Sequence, residues 1–224
     1  MKRRLTKADF KVPALLVVLS LVPMLGGAMR LTNLSGSAAA TAEHARFAAA
    51  PAPIVIHVLA ATLYCLLGAF QFSSAFRRRF PAWHRGAGRV LVLCGLLAGV
   101  TGLWMTVFYR IPTSLQGSLL YFVRLAVGSA MVASIVIAVT SILRRNVPRH
   151  EAFMIRAYAL GQGAGTQVLV LLPWMLISGE SGGLTRDLLM TLSWTINVVV
   201  AESIISLRKK AQPSHVEPTA IIAQ

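Results

Sequence analysis

The chain has 224 residues, with 22 Lys and Arg against 7 Asp and Glu and a formal net charge of +15. Some 56% of it is hydrophobic and its mean hydropathy is +0.68, which excludes an ordinary soluble fold, and the connectors between apolar runs are too short for a separate soluble domain. The basic excess does not point to nucleic acid either, because it gathers at the ends of apolar runs, where it reads as a membrane-topology signal.

A spanning helix needs about 20 predominantly apolar residues. Six stretches qualify, near 12–29, 53–76, 87–109, 119–143, 157–178 and 185–207. They predict an all-α integral membrane protein: six transmembrane helices in one domain over residues 1–210. The first run follows Lys2, Arg3, Arg4, Lys7 and Lys11. It is too long for a usual signal-peptide core and no small-x-small site closely follows it, so an uncleaved anchor is expected, bent near Pro23 and Gly26-Gly27. Residues 31–52 form the longest loop, containing His44. Span two carries His57 and Cys65 and ends in Gln71-Phe72 and a basic loop of Arg77, Arg78, Arg79, Arg85 and Arg89.

Pro81 is placed to begin the third helix, since its missing N–H costs nothing there, and this sets His84 in the opening turn. Span three continues through Cys94, Gly95 and Gly99; buried thiols in apolar helices suit packing better than a disulfide. Span four has Arg124 just inside its start, and Arg144, Arg145, Arg149 and Arg156 follow or flank its end. Pro148 precedes His150 much as Pro81 precedes His84, and Gly161 and Gly165 lie further along. Span six holds Glu202, expected to pair with Arg208 or a neighbouring arginine, and stops at Arg208-Lys209-Lys210. The tail, 211–224, has prolines and no period and is expected to be disordered.

Seventeen of the 22 basic residues fall on one side of this topology. Lys and Arg accumulate on the cytoplasmic side of short loops, so both termini are expected in the cytoplasm, with lipid as the partner of the basic face.

Two segments sixty-six residues apart match in spacing. Arg78, Arg79, His84, Gly95 and Gly99 correspond to Arg144, Arg145, His150, Gly161 and Gly165. The match predicts a four-helix core of spans two to five, built from two parallel hairpin repeats at about 53–109 and 119–178. Each glycine pair is a small-xxx-small motif that brings helices close in lipid; the same glycines would also leave room for a flat macrocycle. His84 and His150 read either as interfacial residues at helix ends or, facing each other, as a metal site. Two histidines suit the axial positions of a haem, with Arg78, Arg79, Arg144 and Arg145 on its propionates. They are too few for zinc. His57 shifted by sixty-six lands on Val123, beside Arg124. An outer ligand site of His57 and Arg124 for an anionic or quinone-like molecule is one reading there; a hydrogen-bonded structural histidine is the other.

His57, Gly68-Ala69-Phe70-Gln71-Phe72, Arg77-Arg78-Arg79, Pro81, His84-Arg85, Gly88-Arg89 and His150 with Arg156-Ala157-Tyr158-Ala159-Leu160 resemble the bacterial membrane family DUF2306, over roughly residues 53–175. More distantly, the arrangement is similar to the four-helix core of cytochrome b561-type proteins. The first resemblance implies a bacterial inner-membrane protein without bringing an activity. The second implies a b-type haem protein with a haem b on the cytoplasmic side between spans three and five, His84 and His150 as its ligands, and a quinol or redox partner. Any enzymatic role would then be a quinol-linked oxidoreductase. The alternative is a cofactor-free membrane protein: a small transporter, a lipid-binding protein, or an accessory or assembly subunit of a complex.

Overall fold

The computed structural model describes residues 6–34 and 45–211. His44 and the tail from 212 onward lie outside the described residues. Within them the chain is helical, with no strand. A single 3-10 turn, Lys7–Phe10, is closed by Thr6 and Asp9 and runs directly into α1, Lys11–Leu34. The short α2, Ala45–Ala49, precedes α3, Pro51–Gln71. The short α4, Ser74–Arg79, leads into α5, Pro81–Phe108, and α6 spans Ser118–Leu143. Then come α7, Val147–Gly161, α8, Gly163–Ser178, and α9, Gly183–Lys210.

Five helices are long and apolar enough to cross a membrane: α1 with its preceding turn, α3, α5, α6 and α9. The count is six if α7 and α8, which meet at a 41° bend, form one broken span. Large apolar side chains such as Leu15, Leu63, Leu93 and Ile177 stand exposed on the outer surface. In water that would be a severe cost; against lipid tails it is neutral.

Prolines set the helix starts. Pro51 opens α3, Pro81 opens α5, and Pro148 occupies the first turn of α7, where no in-helix donor is missed. Two boundaries differ from the sequence reading. Span two does not continue to Phe76: α3 ends at Gln71, and Ser73 caps a separate α4 by accepting the Phe76 amide at 3.2 Å. Span five is not one helix. The break falls at Gln162, between Gly161 and Gly163, where helix propensity is lowest.

A break in lipid strands carbonyls that water cannot reach. Here α9 supplies the donors. Asn197 Nδ2 donates to Ala159 O at 2.9 Å and Trp194 Nε1 to Leu160 O at 3.3 Å. Thr166, on the far side of the break, donates to Asn197 Oδ1 at 2.7 Å. Gln162 itself is buried and joins three elements. Its Oε1 accepts from Ser20 on α1, its Nε2 donates to the Tyr158 hydroxyl, and that hydroxyl donates to Cys65 O on α3 at 2.7 Å.

The buried core comes from α3, α5, α6 and α7 through Tyr64, Leu91, Cys94, Ala98, Met131, Ile135 and Tyr158. The α1 helix packs outside it on α3 and α8, and α9 packs on α6, α7 and α8. Cys65 and Cys94 are buried and free. One end of the bundle gathers α4, the α6–α7 turn and the end of α9; we refer to it as the basic face.

Candidate functional site

Two cavities enter the bundle from opposite ends. The one at the basic face has a volume of about 580 Å³, within the usual size of a small-molecule site. His84, from the opening turn of α5, and His150, from the opening turn of α7, both line it. The proline-started helices explain their placement: each histidine sits three or two residues after its proline, at a helix end that faces the cavity.

The two rings are held differently. His150 Nδ1 lies 2.9 Å from Ala138 O on α6. A carbonyl only accepts, so Nδ1 carries a proton, and in the neutral ring it is Nε2 that offers a lone pair to a ligand. His84 Nδ1 is buried with no partner. Three further buried polar atoms in the lining share that condition: the Tyr64 hydroxyl and both amide atoms of Gln71. Buried polar groups are nearly always paired. Four unpaired groups around one cavity therefore mark a place where a ligand or water completes the bonding.

The charge around the mouth is strongly positive. Arg77, Arg78, Arg85, Arg89 and Arg208 line the cavity, and Glu151 is its acidic residue. Glu151 bridges Arg77 at 3.1 Å and Arg208 at 3.4 Å, tying α4 and α9 across α7. Arg78, Arg85 and Arg89 remain exposed and have no ion pair among the described residues. Glu202 does pair with a neighbouring arginine: Arg156 grips it bidentately at 2.6 and 2.8 Å, away from the lining.

The repeated segments do not contribute equally. Of the arginines matched by the spacing, only Arg78 lines the cavity. Arg79 is exposed with its guanidinium over Phe80, and Arg144 and Arg145 are exposed in the α6–α7 turn, where Arg145 adopts a positive φ of 58°. The glycines also have other neighbours. A Cβ at Gly95 would lie 2.7 Å from Tyr64 and Ile135, one at Gly161 would lie 2.9 Å from Tyr64, and one at Gly99 would lie 2.7 Å from Val132. Gly165 packs directly on the backbone of Leu19. A side chain at any of these four glycines would meet its neighbours, while Gly99, Gly161 and Gly165 also border the larger cavity at the opposite end.

The sequence reading passed over Tyr64, which is 2% exposed and lines both cavities. Its ring is received by Gly95 and Gly161, the equivalent glycines of the two segments, and packs 5.6 Å from Tyr158. A phenol in an otherwise apolar span was the available signal. Asp187 was also missed. It is 2% exposed, and its two oxygens accept the Gly117 and Leu120 amides at 3.0 Å, capping the start of α6.

The opposite cavity is larger, about 820 Å³, and brings His57 and Arg124 into one lining. His57 Nδ1 lies 2.9 Å from Ala98 O, so this ring too carries its proton on Nδ1. Among the described residues no three His, Cys, Asp or Glu side chains gather into a metal site, which leaves zinc without ligands. His84 and His150 share the lining of the basic-face cavity with Arg77, Arg78, Arg85, Arg89 and Arg208, residue types that can ligate a haem iron and pair with propionates.

A family model described as "Predicted membrane protein (DUF2306)" matches residues 54–205, from the start of α3 almost to the end of α9. No curated protein and no solved structure matches the chain.

Proposed function

The chain belongs to the DUF2306 family of predicted membrane proteins, and from that premise we propose that it is a b-type haem protein of the bacterial inner membrane, with its basic face in the cytoplasm. The observation that carries this reading is the cavity at that face, which joins two helix-start histidines, four buried polar atoms without partners and a positive mouth. His84 and His150 are the proposed axial ligands. Arg78, which the spacing also suggested, and Arg85 and Arg89 are the proposed partners of the propionates, because these three line the cavity and Arg79, Arg144 and Arg145 do not. The broken α7–α8 pair counts as the sixth span in this reading.

Haem supplies one-electron chemistry at its iron. The chain's part is to fix the His150 tautomer through Ala138 O, hold the anionic edge at the membrane surface and keep the ring plane in an apolar wall of Leu91, Val92, Met154 and Ile155. A quinol or a redox protein is the proposed electron partner. Since the second histidine of an outer pair is missing, one haem is proposed, and a transmembrane two-haem wire is not.

Absorption spectra of the purified protein, oxidised and reduced, test this. A Soret band that is lost in both His84→Ala and His150→Ala, with each variant still eluting as folded, monodisperse protein, is the expected result. Haem-free protein after expression with added haem precursor would remove the reading. In that case the filled glycine positions and the Glu151 bridge, both features of plain helix packing, favour the cofactor-free alternative.

A further inference from the structure

The cavity opposite the basic face has a composition that the haem reading does not use. Arg30 from the end of α1, Arg46 from α2, Arg124 from α6 and Arg186 from the start of α9 all line it, together with His57. No carboxylate lines it among the described residues. Asp187 stands next to Arg186 and outside the lining; its two oxygens accept the amides that start α6, and its single negative charge faces Arg124 against the four cations. Arg124 lies six residues inside α6, about 9 Å from its first residue at the helical rise, and commits one Nη to Gln116. The Nε of Arg186 and the Nε2 of Gln167 are buried in this lining without a partner, and Gln167 is only 9% exposed.

Cations at membrane depth are costly and stay where something of opposite sign or a polar cavity compensates them. A guanidinium fork matches the paired oxygens of a phosphate. The rest of the wall specifies what carries the phosphate. Val22 on α1 and Leu172 and Met175 on α8 line the cavity and are also 55, 46 and 50% exposed. The cavity therefore reaches the lipid-facing surface beside α1 and α8, which pack on each other deeper in the bundle, where Gly165 meets Leu19. A chain can enter from the bilayer along this side while a headgroup stays among the arginines.

We propose that this cavity is a binding site for a phosphate-headed lipid, with Arg124 and Arg186 as the headgroup ligands and the apolar wall between α1 and α8 as the seat of the chain. Two sources share that chemistry: the phosphodiester of a diacyl phospholipid such as phosphatidylglycerol, and a polyprenyl monophosphate. The proposal is independent of the haem reading, since it uses neither histidine of the basic-face cavity.

The test is lipid binding to the full-length protein in detergent, measured by native mass spectrometry with thermal stabilisation as a second readout. The probes are phosphatidylglycerol, a polyprenyl phosphate, phosphatidylcholine and inorganic phosphate. One anionic lipid should be retained with saturable affinity, and whichever of the two binds more tightly identifies the source. Arg124→Gln/Arg186→Gln should weaken it by about tenfold or more, the scale of a lost charge-assisted hydrogen bond, while Lys209→Gln/Lys210→Gln at the other end leaves it unchanged. Should the first variant fail to fold, Arg124→Lys/Arg186→Lys keeps the charge without the fork and is expected to lose affinity by a smaller factor. Equal retention of phosphatidylcholine, equal loss on changing Lys209 and Lys210, unchanged affinity in the arginine variants, or displacement by millimolar inorganic phosphate would each overturn the proposal.

Discussion

Tyr64 is held by absences: Gly95 and Gly161 have no side chain where its ring lies. Gly95→Ala and Gly161→Ala would each push a methyl group to within 3 Å of that ring. Overpacking of this kind costs about 1–3 kcal/mol, so both variants should unfold at lower temperature in detergent. Gly86→Ala is the control, because a Cβ there meets nothing within 4 Å and alanine favours the helix by up to about 1 kcal/mol. Equal stability of all three variants would show that Tyr64 does not sit between these glycines. The hydroxyl of the same residue gives a different expectation. It is buried without a partner, and an unsatisfied group costs about 1–3 kcal/mol. Tyr64→Phe keeps the ring and removes the cost, so the ligand-free protein should hold or gain stability; a clear loss would mean that something bonds the hydroxyl. The histidines were legible from the sequence because proline placed them, but Tyr64 was not, since one phenol among apolar residues has no period or spacing to announce it.

At the scale of elements, the break at Gln162 is the feature that most needs support. Its two exposed carbonyls depend on side chains of α9, so α9 acts as a splint for the broken span. Asn197→Leu leaves Ala159 O and the Thr166 hydroxyl without their partners, and polar contacts between membrane helices are worth about 0.6–2 kcal/mol. The variant should unfold earlier, and amides near residues 159–166 should exchange faster than those of α5. Trp194→Phe should cost less, because its bond to Leu160 O is longer at 3.3 Å. Unchanged exchange around the break in Asn197→Leu would show that α9 is not its support. The break was not legible from hydropathy. The average hydropathy over 157–178 is high because of its apolar second half, and that average hides Gly161–Gln167, which holds three glycines, two glutamines and a threonine. The helix starts, in contrast, were legible because a proline fixes its own φ and forfeits its own donor. The same locality explains the arginines: spacing identified Arg144 and Arg145 as counterparts of Arg78 and Arg79, but which guanidinium reaches a cavity depends on turn geometry that spacing does not encode.

For the whole molecule, the ends of the chain decide how many times it crosses. The turn before α1 packs on α4, and Arg208 near the end of α9 bonds Glu151, which also holds Arg77 of α4. Both ends of the described residues therefore lie at the basic face, the arrangement expected of an even number of crossings. Five helices alone would put those ends on opposite sides; with the bent α7–α8 pair taken as one span, the count is six and the ends agree. The charge pattern carries the proposed direction. Basic residues after α3, between α6 and α7 and at the end of α9 all favour the cytoplasmic side, and no single cluster carries the orientation, so neutralising Arg208, Lys209 and Lys210 together should not invert it. The check is a pair of reporter fusions, one at each terminus, in which a fluorescent protein folds only in the cytoplasm and alkaline phosphatase is active only outside. Fluorescence at both ends and phosphatase activity at neither is expected, for the native chain and for the neutralised one. Opposite results at the two ends would mean that α7 and α8 form a re-entrant loop, and His150 would then need a new account, because its helix would enter and leave by the same face.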